Sequence, residues 1–194
     1  MLLANVAAAE YALQHDVPML YRIHEPPEFS RIQKVRDFVK LLGLPFPEQP
    51  TQKDYQAVID ATKDRIDAPS IHAVLLRSMM QAYYGANNAG HFGLAYEAYT
   101  HFTSPIRRYP DLLLHRAIKA KLKHKPAPLS GAALDDAGQH FSATERRADE
   151  ASRSVTTWLK CHYMQQHLGE EFVGTISAVA EFGLFVTLLS LIHI

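Results

Sequence analysis

The spacing of apolar positions changes several times along the chain, and each change marks an element. The opening MLLANVAAAEYAL is apolar nearly throughout and reads as a buried helix. In EFSRIQKVRDFVKLLGLP, residues Phe29, Ile32, Val35, Val39 and Leu42 fall on one helical stripe, which Gly43 and Pro45 bring to an end. TQKDYQAVIDAT opens with Thr51 and Asp54 at the spacing of a capping box and continues with apolar Tyr55, Val58 and Ile59. A further helix over 70–82 turns Ile71, Val74, Leu75 and Met79 inward. Beyond the connector KPAPLSG, Leu134, Ala137, Phe141, Thr144, Ala148, Ala151, Val155, Trp158 and His162 recur at steps of three and four. That spacing predicts one long helix with a narrow inward stripe, ended near Gly169.

Between these helices the period falls to two. In HFGLAYEAYTHFT, residues Phe92, Leu94, Tyr96, Ala98 and Phe102 alternate with His91, Gly93, Glu97, Tyr99, His101 and Thr103. Alternation predicts an extended strand with one buried face, and it leaves Tyr99 on the polar face, free to stack a base. After Gly169 the pattern is β-like again in EFVGTISAVAEFGLFV, so a domain boundary falls there. Phe182 and Phe185 flank Gly183; they serve either as barrel core or as exposed aromatics that stack single strands.

The turn between strand and helix carries the candidate chemistry. In THFTSPIRRYPDLLLHR, Ser104 can cap a helical turn with Pro105 at its first position. Pro110 cannot continue that turn, because it lacks an N–H and clashes with the preceding carbonyls. A kinked or doubly started helix is expected, with Arg107 and Arg108 projecting beside free backbone N–H groups. A guanidinium fork at the positive end of a helix is suited to phosphate oxygens. The plainer reading pairs both arginines with surface acids.

Charge sharpens this only locally. Twenty Lys and Arg balance twenty Asp and Glu overall. Residues 107–125, however, hold Arg107, Arg108, Arg116, Lys119, Lys121, Lys123 and Lys125 against the lone acid Asp111. This is either a solvated helix face or an electrostatic footprint for a polyanion. Eleven histidines and one cysteine form no spaced metal motif, so zinc is not expected. Ser104 lies in no G-x-S-x-G elbow. The single Cys161 excludes an internal disulfide and suits a reducing compartment. No Lys or Arg precedes the first apolar run and Glu10 interrupts it, which argues against a signal peptide; no run reaches membrane-spanning length. A cytoplasmic location is expected.

With those residues in view, GHFGLAYEAYTHFTSPIRRYPDLLLHRAI resembles the signature of the RNase II/RNase R exoribonucleases, their RNase R branch above all. ERRADEASRSVTTWLKCHYM and MLLANVAAAEYAL resemble helices of the same catalytic domain, and EFVGTISAVAEFGLFV resembles the first strands of the OB-type domain that follows it. The resemblance implies an α+β fold: residues 1–168 as the C-terminal, mostly helical part of an RNB-type catalytic domain, and 169–194 as the truncated start of an OB-type RNA-binding barrel. It implies a monomeric enzyme that degrades single-stranded RNA processively from the 3′ end to nucleoside 5′-monophosphates, with magnesium. It places Arg107 on the scissile phosphate, sets Thr103, Ser104 and Arg108 along the same turn, and turns Glu145 or Glu150 toward the terminal ribose.

Two departures qualify the resemblance. The family's D-x-D-D cluster of metal-binding aspartates is absent, as is the acidic residue that normally just precedes the first helix. Five strands do not fit in the roughly 25 residues after Gly169 at about 5 residues each, and the closing TLLSLIHI departs from the family pattern. The chain reads as a C-terminal portion of a larger enzyme, inactive alone. The rival reading is a non-catalytic RNA-binding module.

Overall fold

Alanines at positions 8, 9 and 12 give the first helix a smooth face, and that face is where the first core forms. The computed structural model describes residues 1–188; residues 189–194, which include most of the closing TLLSLIHI, lie outside it. Helix α1 (Leu2–Gln14) buries Asn5, Ala8, Ala9 and Ala12. These meet Val17, Met19, Tyr21 and Ile23 and, from helix α5 (Tyr109–Leu122), Leu114 and Ala117. The helix expected to be buried is buried on that face only: Met1 and Leu3 are 89% and 80% exposed.

A second core joins α2 (Phe29–Leu41), α3 (Gln52–Thr62) and α4 (Ala68–Ser78) through Ile32, Val35, Val39, Tyr55, Val58, Ile71 and Leu75. The predicted stripes hold, apart from Phe29, which is exposed. The capping box forms: the Thr51 N–H donates to the Asp54 carboxylate at 2.7 Å, and the bonds from Thr51 hold that carboxyl below its usual range.

Two short strands, β1 (Tyr21–Ile23) and β2 (Tyr83–Gly85), pair antiparallel with Arg22 opposite Tyr84. Tyr84, Leu20, Leu113 and Leu134 form a third core against the start of α6 (Ala132–Met164). Gly138 permits that approach, since a Cβ there would lie 2.8 Å from the Tyr84 carbonyl oxygen. One turn on, the buried Ser142 hydroxyl accepts from the Tyr84 N–H at 2.9 Å.

The strand expected over 91–103 does not form. Phe92–Leu94 is a 3-10 turn closed by Ala95 in the left-handed region at φ +56°, and Tyr99 and Thr100 are buried in succession. The segment's backbone is taken up singly rather than by a ladder: the Arg22 N–H donates to the Tyr99 carbonyl at 2.8 Å. Buried polar partners on both sides override the alternation.

Helix α6 runs for 33 residues, as its spacing predicts. Its stripe is buried only at the start: Val155 and Trp158 are 57% and 64% exposed. Compactness divides the chain into two units, residues 1–143 and 144–194, with the division inside α6. In the second unit, β3 (Gly174–Ala180) and β4 (Gly183–Leu188) form an antiparallel hairpin with an irregularity between Ile176 and Ala178. No helix among the described residues is long and apolar enough to cross a membrane.

Candidate functional site

The turn at 104–108 is built as the prolines demand. The N–H groups of Arg107 and Arg108 donate to the Ser104 carbonyl at 3.3 and 3.1 Å, closing one turn opened by Pro105. Arg108 then becomes extended, at φ −126° and ψ 114°, and α5 starts afresh at Tyr109 with Pro110 in its first turn. The start is double, and the break leaves Ile106 and Arg107 at the exposed tip.

Buried polar side chains anchor the segment on both sides of this tip. Asn5, 4% exposed in α1, donates to the Tyr99 hydroxyl at 2.9 Å, and its carbonyl accepts the N–H groups of Phe102 and Thr103 at 3.1 and 3.2 Å. The Thr100 hydroxyl donates to the Leu20 carbonyl at 2.7 Å. His115 lies parallel to Phe102 at 4.1 Å, with its Nε2 2.9 Å from the Phe102 carbonyl oxygen. Asp111, wholly buried, accepts from the Ser104 N–H at 2.7 Å and from the Arg108 guanidinium at 2.8 Å, both on Oδ1.

The two adjacent arginines therefore have opposite fates. Arg107 is exposed and has no hydrogen-bond or ion-pair partner among the described residues. Arg108 is turned inward onto Asp111, its side chain 19% exposed, which corrects the expectation that both project outward. An acid in the first turn of α5 competes for the nearer guanidinium, and a buried carboxylate requires such a partner.

Neighbouring histidines lie in a positive and dry setting. His101 meets the Tyr84 hydroxyl at 2.9 Å; burial, then the charges of Arg108 and Arg22, lower it to about 4. His91, stacked on His24 at 5.1 Å, is also lowered to about 4, first by burial and then by His24. Both imidazoles are neutral at pH 7.

The family model for the RNB domain matches residues 1–124. The chain belongs to the RNB domain family. It is 47% identical to ribonuclease R of Vibrio cholerae serotype O1 over 205 aligned residues, covering 98% of this chain and 25% of that protein. With ribonuclease R of Escherichia coli K12 the identity is 44%, over 97% of this chain and 25% of the relative. The chain thus spans about a quarter of the length of these curated relatives. Among solved structures, Mycoplasma genitalium RNase R in complex with ribose methylated single-stranded RNA superposes with a TM-score of 0.87 at 27% identity, over 97% of this chain and 31% of that one. Yeast Ssd1, described as a pseudonuclease, superposes with a TM-score of 0.64 at 25% identity, over 72% of this chain and 18% of that one.

Within this RNB segment the turn brings Thr103, Ser104, Arg107 and Arg108 together, with Thr103 and Ser104 half-buried and their N–H groups bonded inward. Tyr99 is a correction. It is 4% exposed, bonded to Asn5 and ringed by His91, Tyr96 and His101, so it offers no face to a base. Glu145 is half-exposed on α6 in the second unit, where Glu150 is exposed. Phe182 and Phe185, 85% and 51% exposed, meet edge to face at 5.7 Å on the hairpin. The structure adds Asn5, Thr100, His101 and Asp111, which sequence reasoning passed over. Two of them left a trace: Asn5 is the lone polar residue of MLLANVAAA, and Asp111 the lone acid of the basic segment.

Proposed function

We propose that the chain is part of the catalytic domain of a 3′-to-5′ exoribonuclease of the RNase R kind, in which Arg107 binds the scissile phosphate of single-stranded RNA. One observation carries this reading: of two adjacent arginines, one is neutralised by a buried aspartate while the other stands unpaired at the tip of an anchored turn. Hydrolysis of a phosphodiester builds negative charge on the non-bridging oxygens, and a prepositioned guanidinium stabilises it without reorganisation. Thr103 and Ser104 flank the strand at the same turn, and Arg108 acts from behind it. Glu145 or Glu150 faces the terminal ribose, and Phe182 and Phe185 stack bases from the hairpin, read as the first two strands of an OB-type domain.

The resemblance implies magnesium. Among the described residues no group of three or more His, Cys, Asp or Glu comes together to hold a metal ion. The described residues do not fit such a centre. The chain by itself is expected to release no mononucleotides.

The experiment is Arg107→Ala in the full-length enzyme. Loss of an interaction made mainly in the transition state lowers kcat with little change in RNA affinity. By analogy with removal of one oxyanion donor, the fall is roughly 10²–10³-fold. Arg107→Lys recovers only part, since a point charge lacks the guanidinium fork. The second reading, a non-catalytic RNA-binding module, draws on the likeness to Ssd1. It is favoured if Arg107→Ala weakens RNA binding and the wild-type protein releases no nucleotides.

A further inference from the structure

We infer that Asp111 is the residue that positions Arg107 for the phosphate, although Asp111 faces away from it; this rests on the proposed role of Arg107. A single oxygen, Asp111 Oδ1, holds both ends of the exposed turn: the N–H of Ser104, where the turn opens, and the guanidinium of Arg108, where it ends. Between those anchors, Arg107 is fixed by its own N–H to the Ser104 carbonyl. The carboxylate itself is immobile, being wholly buried and carried in the first turn of α5. It therefore ties the turn to the helix rather than to solvent.

The same bond has an electrostatic consequence. Asp111 neutralises Arg108, so the local excess of positive charge is concentrated on Arg107. The remaining oxygen, Oδ2, and the Arg108 Nε are buried with no hydrogen-bond partner. A pair placed for stability alone would satisfy both with a second, parallel bond in the bidentate arrangement that Arg and Asp favour. Here the guanidinium engages through one nitrogen, and the shared oxygen keeps the Ser104 amide. The geometry favours the shape of the turn over the strength of the ion pair.

The test is a double-mutant cycle in the full-length enzyme. Asp111→Asn keeps the side chain's shape but removes its charge. It lowers kcat by up to roughly 10²-fold, the cost of misplacing a catalytic group by about 1 Å, and leaves RNA affinity within about threefold, a residual of some 0.6 kcal/mol. Arg107→Ala together with Asp111→Asn is no slower than Arg107→Ala alone, because the two act through one group. Hydrogen exchange at the Arg107 and Arg108 amides rises in Asp111→Asn while that in α2–α4 does not. If Asp111→Asn does not fold, Arg108→Lys enters the same cycle in its place and gives the same non-additivity with a smaller single effect. Additive losses, or activity that falls only in step with the folded fraction, overturn the inference. If Arg107→Ala alone leaves kcat intact, it is the reading of Arg107 that fails, and the exchange data still report whether Asp111 holds the turn.

Discussion

The segment 99–111 and the hairpin 174–188 were both candidates for meeting RNA, and they are built in opposite ways. In the first, buried polar side chains hold the backbone: Asn5 of α1 accepts from its N–H groups, Asp111 bonds Ser104, and Thr100 donates out to Leu20, each of the three at most 4% exposed. In the second, apolar side chains face outward: Ile176, Val179, Phe182, Leu184, Phe185 and Val186 are all more than half exposed. Directional bonds fix angle and distance, as a single charge held in one place would require; an apolar surface offers area without direction.

The largest break in this contrast is at Asn5. Asn5→Ala strands the buried Tyr99 hydroxyl, at roughly 1–3 kcal/mol for a buried polar group left unpaired, and the part-buried Phe102 and Thr103 N–H groups at less each. Urea denaturation is expected to show a lower midpoint with the slope unchanged. A midpoint within error of wild type shows that the segment is held by packing alone.

The next effect is pH dependence. His91 and His101 are held at about 4 in the fold, whereas an exposed histidine takes its proton near 6.5. Between those values the unfolded chain binds more protons than the folded one, so stability falls as pH drops from about 6.5 towards 4 and is level above that window. Both rings are only part-buried, so solvent screening reduces the effect. His91→Gln/His101→Gln is expected to flatten the slope even where it lowers stability overall. An unchanged slope assigns the acid sensitivity to other groups.

The smallest effect sharpens the contrast from the other side. Phe182→Ala is expected to leave stability within about 0.5 kcal/mol, as for other surface changes. RNA affinity should fall by roughly 1–3 kcal/mol if one base is stacked. Loss of stability with affinity preserved makes Phe182 a core residue of a larger barrel instead.

How far these features are legible in sequence depends on how local their causes are. The helices follow from the 3.6-residue recurrence of Ile32, Val35 and Val39 or of Tyr55 and Val58, and the capping box from Thr51 and Asp54 alone. The double start at Ser104 follows from Pro105 and Pro110, whose constraints act within a few residues. The strand was misread because aromatic alternation also arises where rings are drawn in singly by distant partners. Tyr99 is buried by Asn5, 94 residues away, and no local period reports such a bond. Arg108 departs from expectation for a shorter-range reason: the acid three residues on is its buried partner and not merely a balancing charge.

The close approach at Gly138 has a consequence for how such a chain tolerates changes of length. The connector between α5 and α6, residues 123–131, is mostly exposed, and surface connections of that kind absorb insertions readily. Past Ala132 the tolerance ends. One residue inserted between Leu134 and Gly138 turns the helix by about 100°, carries a side chain into the gap 2.8 Å from the Tyr84 carbonyl and removes Ser142 from the Tyr84 amide. Related chains are therefore expected to vary in length before α6 and to keep an unbroken count from Leu134 to Ser142.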